Sequence, residues 1–209
     1  MQSNTKIAVN YWTNLYSARE QDCINRVSNL AKDFIASLSG QTPIKSPILR
    51  ANNILEFGCG TGHLCSALSK INKKCIFVGA DISTSAISIA NKYHFENERL
   101  YFIDKDILYE KIDGHFDLVI SSNTLEHFKD PFLAIEKLFE YGDSLLLLLP
   151  YDEKNIQDKY DVEGGAGHVY SFNENSFGRY KVIGWYTFFT HEWVQGENPL
   201  QMVILIKKR

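Results

Sequence analysis

Residues Ile54-Leu55-Glu56-Phe57-Gly58-Cys59-Gly60-Thr61-Gly62-His63-Leu64 read as a strand, a glycine turn and the start of a helix. Three glycines at alternate positions let the backbone approach a ligand closely and leave helix N–H groups pointing at it. A tight strand-to-helix turn with no ligand would use the same residues, so the surroundings decide. Apolar strand-like runs at 53–57, 75–80, 100–103, 116–121 and 144–149 alternate with helical patterns near 63–71, 84–93 and 131–141. Such alternation predicts a parallel sheet covered by helices on both faces.

Upstream, Ile24, Val27, Leu30, Ala31, Phe34, Ile35 and Leu38 recur at helical spacing, and Gly40 follows where a left-handed C-cap would sit. Residues 42–47 hold two prolines and a serine, the composition of a short linker. Residues 151–170 carry Asp152, Glu153, Asp158, Asp161 and Glu163, end in Gly164-Gly165-Ala166-Gly167, and read as a long polar loop of the functional kind. Two β-rich runs, 181–190 and 202–207, flank a turn around Gly196, Asn198 and Pro199 and predict an antiparallel pair closing one sheet edge.

A chain of 209 residues with 44% hydrophobic content can bury one large core and is too short for two ordinary domains. Twenty-five acidic against 22 basic side chains leave a net charge of −3, without the basic excess that drives binding to nucleic acid. The four cysteines, Cys23, Cys59, Cys65 and Cys75, form no C-x-x-C pair and read as buried thiols in a reducing compartment. The longest apolar run, 145–149, is far too short to span a bilayer, and residues 1–30 lack a signal pattern. A cytoplasmic location with no membrane association is expected; oligomeric state is not legible.

Two ligand classes compete for the glycine loop. A dinucleotide site wants a small residue three past the second glycine, where this chain has His63, and its phosphates would meet the carboxylate of Glu56. S-adenosylmethionine carries an ammonium and a sulfonium but no phosphate, and so matches an acid followed by glycines.

The segment 55–62 resembles the first motif of the class I S-adenosylmethionine-dependent methyltransferases of the small-molecule type. The resemblance runs over about residues 50–150. Gly79-Ala80-Asp81-Ile82-Ser83 looks like the second-strand end, where the family's acid bonds both ribose hydroxyls. Ile103-Asp104-Lys105-Asp106-Ile107 resembles the third-strand end, where Asp106 would reach the adenine amino group and Ile107 would pack on the ring, with Asp104 the alternative acid. Residues 116–127, ending Asn123-Thr124-Leu125-Glu126-His127, resemble the fourth motif, which ends over the methyl donor. The resemblance implies a Rossmann-like three-layer α/β/α sandwich, with a mostly parallel seven-stranded sheet and a terminal antiparallel hairpin. It also implies S-adenosylmethionine as cofactor, held by Glu56, Gly58, Cys59, Gly60, Gly62, Asp81, Ile82, Asp106, Ile107 and Asn123. One domain over 1–209 divides into an N-terminal helical lid (1–49), a cofactor-binding core (50–150), and an acceptor loop with closing hairpin (151–209).

Family members that methylate base or amide nitrogens commonly carry Asn/Asp-Pro-Pro-Tyr where this chain has Ser122-Asn123-Thr124-Leu125, and no cysteine follows a proline as in cytosine C5 enzymes. Both absences favour oxygen on a small polar acceptor, a sugar or sugar nucleotide first. N- or carboxyl-methylation of a small molecule, protein or RNA is the alternative within enzymes, and a non-catalytic S-adenosylmethionine-binding partner subunit the alternative outside them. An alcohol needs a base, and His127 and His168 are the candidates. His168 lies in a His-x-x-x-Phe segment, through Phe172, like that of many small-molecule methyltransferases. Each histidine could instead be structural. Glu126, His127 and Asp130 could contribute to a cation site, as in quinone-type O-methyltransferases that resemble this stretch. Three such residues over five positions are common where a helix begins, and no metal is assigned. Tyr11, Trp12 and Tyr16 would join the loop after residue 150 in a lid or acceptor site, or simply cover the core.

Overall fold

The computed structural model describes residues 2–154, 156, 167–191 and 199–209, with the backbone alone described for 2–7. Seven strands form one sheet in the order β3-β2-β1-β4-β5-β7-β6. They are β1 (Asn53–Phe57), β2 (Ile76–Asp81), β3 (Leu100–Asp104), β4 (Leu118–Ser122), β5 (Ser144–Pro150), β6 (Lys181–Phe189) and β7 (Leu200–Lys207). The first five are mutually parallel, and β7 lies antiparallel between β5 and β6. The expected sandwich and its terminal hairpin are therefore both present. Gly196 and Asn198, assigned to the hairpin turn, lie outside the described residues, as do Asp158, Asp161, Glu163, Gly164, Gly165 and Ala166 of the polar loop.

Central strands buried on both faces read as unbroken apolar runs, and every residue of β5 is buried. Alternate side chains feed two cores. Leu145, Leu147 and Leu149 meet Ile135, Leu138 and Phe177 on one face, while Leu146 and Leu148 meet Phe34, Ile48 and Leu68 on the other. The first face is covered by α6 (Pro131–Leu138) and a short 3₁₀ turn at Glu174–Phe177; the second by α2 (Glu20–Ser37), α3 (Thr42–Arg50) and α4 (His63–Ile71). α5 (Thr84–His94) follows β2, and α1 (Gln2–Ala18) packs on it through a 2.7 Å Ser17–Ser85 hydroxyl contact.

Residues 42–47 are not a linker but the first two turns of α3. Pro43 occupies an early helical position where its missing N–H costs nothing. Pro47 forfeits one bond inside the helix, an expense offset by burying Ile44 and Ile48, four residues apart on one face. Cys59, Cys65 and Cys75 are buried as expected, while Cys23 is only half-buried. Among the described residues no helix is long and apolar enough to cross a membrane.

Candidate active site

The carboxyl ends of β1, β2 and β4 open into a cavity of about 540 Å³, roofed by α1 and α2. This is where open α/β sheets place ligands, at the point where strand order reverses. Glycine conformation shapes its floor. Gly60 has φ +50, and a Cβ built there would lie 2.6 Å from the Tyr16 hydroxyl oxygen, so only a bare backbone admits the α1 tyrosine that reaches down to it. Gly62 has φ +73 and caps α4; a Cβ there would meet Phe102 at 2.4 Å, so it makes room for β3's aromatic ring and does not line the cavity.

Acids surround this floor. Glu56 is 3% exposed and accepts from the Cys65 thiol at 2.8 Å, and burial raises its pKa to about 8. Asp81 accepts from the Gly60 and Ser83 amides at 2.8 and 2.9 Å, and burial raises its pKa to about 6. Ile82 and Cys59 line the wall beside it. Asp106 reaches the cavity with its carboxyl pKa raised by burial, but Ile107 does not: it is 2% exposed within the core, and Tyr109 takes the wall instead. Asn123 holds φ +46, and its side-chain carbonyl is buried with no hydrogen bond among the described residues.

The other end of the cavity is built by two segments distant in sequence. A 3₁₀ turn, Leu125–His127, follows β4, and the chain at 167–170 docks against it, the Val169 and Tyr170 amides both donating to the Glu126 carbonyl at 2.8 and 3.1 Å. This brings His168 to His127, ring centroids 5.0 Å apart, with Trp12 edge-on against the far side of His127, also at 5.0 Å. His127 Nδ1 lies 3.2 Å from the Gly167 carbonyl, and burial lowers the His127 pKa to about 4. His168 Nδ1 meets the Glu153 carboxylate at 2.5 Å, and its Nε2 lies 3.9 Å from Glu126 Oε1. Glu126 is fully buried, and that burial raises its pKa to about 7.

Asp130 takes no part in this cluster. Its Oδ1 accepts from the Phe132 and Leu133 amides at 3.1 and 3.2 Å and caps α6. The sequence groups it with Glu126 and His127 and does not point to three contributors: Glu153 behind His168, and Arg19 and Arg26 at the α2 side of the cavity. Arginines at positions 19 and 26 look like an ordinary solvated helix face until α2 is seen over the cavity.

Residues 55–141 match the family model described as "Methyltransferase domain". A magnesium protoporphyrin IX methyltransferase from Synechocystis, solved with bound SAH, superposes with a TM-score of 0.70 over 98% of this chain and all of that one, at 15% identity. Residues 55–141 thus carry a methyltransferase domain, on a chain that has the fold of that solved enzyme. Two malonyl-[acyl-carrier protein] O-methyltransferases resemble that domain in sequence. The one from Priestia megaterium is 37% identical over 87 residues, 42% of this chain and 31% of its own length. The one from Bacillus cytotoxicus is 25% identical over 136 residues, 64% of this chain and 47% of its own length. This chain thus spans less than half the length of these two relatives. The glycine floor and strand-end acids fall within the matched segment, whereas Trp12 and Tyr16 of α1, Glu153 and His168 fall outside it.

Proposed function

We propose that the protein transfers a methyl group from S-adenosylmethionine to an oxygen of a small polar acceptor. One observation carries this reading: a single cavity runs from the glycine floor and strand-end acids to the cluster of Glu126, His127 and His168. The residues present fit the cofactor. Gly58 and Gly60 leave open backbone, Asp81 keeps lone pairs for two ribose hydroxyls beyond its two amide bonds, and the buried Asn123 carbonyl lacks a donor that a bound ligand can bring. Glu56 and Asp81 suit a ligand whose net charge is positive. Bound S-adenosylmethionine supplies a methyl group on a cationic sulfur, a carbon open to in-line attack.

The protein's part is then to align and to exclude water, worth up to about 7 to 11 kcal/mol of the barrier. Trp12 and Tyr16 of α1 close over the floor as a lid. At the far end an acceptor hydroxyl loses its proton against the imidazole–carboxylate cluster, an effect typically worth about 10²- to 10⁴-fold. S-adenosylhomocysteine at about 100 times its Kd is expected to stabilise the chain by about 2.7 kcal/mol, or roughly 5 to 10 °C in Tm. Deleting residues 1–18 should shrink that shift at equal ligand. No shift at millimolar ligand would make the reading untenable, and an equal shift in the truncated chain would remove the lid.

A second reading, carboxyl methylation, draws on Arg19 and Arg26 at the cavity wall and on the names of the relatives. The cluster argues for the hydroxyl, since a carboxylate is already deprotonated and needs no base. Transfer of labelled methyl into a fractionated extract separates them. A methyl ether keeps its label through mild alkali, as expected for a sugar-type hydroxyl; a methyl ester releases it as methanol.

A further inference from the structure

Glu126, His127 and His168 each present one ligand-type atom within 4.8 Å of the others. We propose that these three side chains bind a divalent first-row transition ion at the acceptor end of the cavity. Two imidazoles and one carboxylate form a donor set suited to zinc, iron(II), cobalt or manganese, and poor for calcium, which takes oxygen.

Three observations carry this independently of composition. First, both imidazoles are engaged at Nδ1 by an oxygen, His127 by the Gly167 carbonyl and His168 by the Glu153 carboxylate. An imidazole that donates through Nδ1 carries its lone pair on Nε2, and a carboxylate behind a ligating histidine is the usual outer-shell partner of a metal site. Second, both carboxylate oxygens of Glu126 are buried without a hydrogen bond among the described residues, and His168 Nε2 stands 3.9 Å from one of them. A buried carboxylate with no close charged donor is costly, and a cation at this point relieves it. Third, the two ligand-bearing segments are fastened together by the two amides that share the Glu126 carbonyl. The backbone is set, and only side-chain rotation is needed to bring donors to the roughly 3 to 3.5 Å separations that bonds of about 2.0 to 2.2 Å require.

Three protein ligands leave coordination positions open, and here they open towards the cavity, where an acceptor with neighbouring oxygens can chelate. Asp130, three residues from His127, is occupied as the α6 cap and is no ligand. The ion's role in catalysis rests on the methyltransferase reading and replaces direct proton transfer to the three side chains: bound to it, the acceptor hydroxyl releases its proton to solvent more readily, the oxygen attacks the methyl carbon, and the carbon–sulfur electron pair returns to sulfur. The binding of the ion does not rest on that reading, and the two can fail separately.

The test is a titration of the chelator-stripped full chain with cobalt(II) or zinc(II) alone, followed by absorbance or calorimetry. One equivalent should bind with micromolar affinity or tighter, His168→Ala and Glu126→Gln should each weaken it at least tenfold, and Asp130→Asn should leave it unchanged. The thermal shift with S-adenosylhomocysteine should persist in all three variants, certifying their fold and leaving cofactor binding as a separate readout. A stripped chain that keeps that shift but binds less than a tenth of an equivalent at 100 μM metal overturns the proposal. So does stoichiometric binding that survives the double variant His168→Ala/Glu126→Gln, which assigns the ion elsewhere. In either case the cluster is an acid–base network without metal.

Discussion

Replacing Glu56 with glutamine is expected to stabilise the ligand-free protein at pH 8 while weakening S-adenosylhomocysteine binding at least a hundredfold. The carboxyl sits 3% exposed at the end of β1, where burial lifts its pKa from an ordinary value near 4.5 to about 8. Because the folded chain holds this proton more tightly than the unfolded one, the group's contribution to stability is fully present below pH 4.5. It is lost as pH rises through 8. Over that window one such acid withdraws on the order of 2 to 4 kcal/mol, and glutamine, which cannot ionise, withdraws none. Thermal melts of the two chains should therefore coincide near pH 5 and separate by roughly 5 to 15 °C at pH 8, the variant higher. The expected loss of affinity follows from the same charge. The ammonium group, which S-adenosylhomocysteine shares with S-adenosylmethionine, is what makes an ionised Glu56 tolerable, and in the variant it meets a neutral amide. Equal melts at pH 8 would show that Glu56 is not held protonated, and unchanged affinity would separate it from the ligand.

Burial also explains which parts of the site could be read from sequence. The glycine turn was legible because its needs are local: Gly62 at φ +73 is the N-cap of α4, and the helix runs from His63 to Ile71 as the apolar spacing predicts. The acids at the ends of β2 and β3 were legible because strand ends in a parallel sheet all face one edge. Which way a side chain points beyond such an end was not. Asp106 faces the cavity while Ile107, its neighbour, turns into the core, since burying an apolar side chain is worth more than a place on a half-wet wall. Asp130 looked like a partner of His127 by spacing, but helix α6 has unpaired amides and claims it. The meeting of His168 with Glu126 depends on a tertiary pairing between 167–170 and the turn after β4 that no local pattern encodes. The proline-bearing α3 was misread for a related reason: the composition of 42–47 suits a linker, and only the burial of Ile44 and Ile48 makes it a helix.

Gly58→Ala should be the most damaging single methyl in the cavity floor. Gly58 has φ +70, where a side chain costs about 1 to 2 kcal/mol of backbone strain, and its Cβ would lie 2.2 Å from Thr124 Oγ1 and 2.6 Å from Thr124 Cγ2. Thr124 cannot easily yield. Its hydroxyl donates to the Ser122 carbonyl at 3.0 Å, the preceding Asn123 is itself held at φ +46, and the turn carrying Glu126 and His127 begins at the next residue. Overpacking of this kind adds about 1 to 3 kcal/mol, so a total loss of about 2 to 5 kcal/mol is expected, read as a fall of roughly 5 to 15 °C in Tm. On the proposed function the catalytic consequence is larger than the loss of stability, because pushing Thr124 away moves the cluster of Glu126, His127 and His168 relative to the glycine floor, and a misplacement of about 1 Å can cost on the order of a hundredfold in rate. Adding Thr124→Ala to Gly58→Ala removes the two closest contacts and leaves the backbone strain. The double variant should recover about 1 to 2 kcal/mol of stability beyond additivity, and with it part of the rate. Strict additivity would mean that the two strands' ends do not interlock through Gly58 and Thr124, and that the cluster of Glu126, His127 and His168 is positioned by the chain at 167–170 alone.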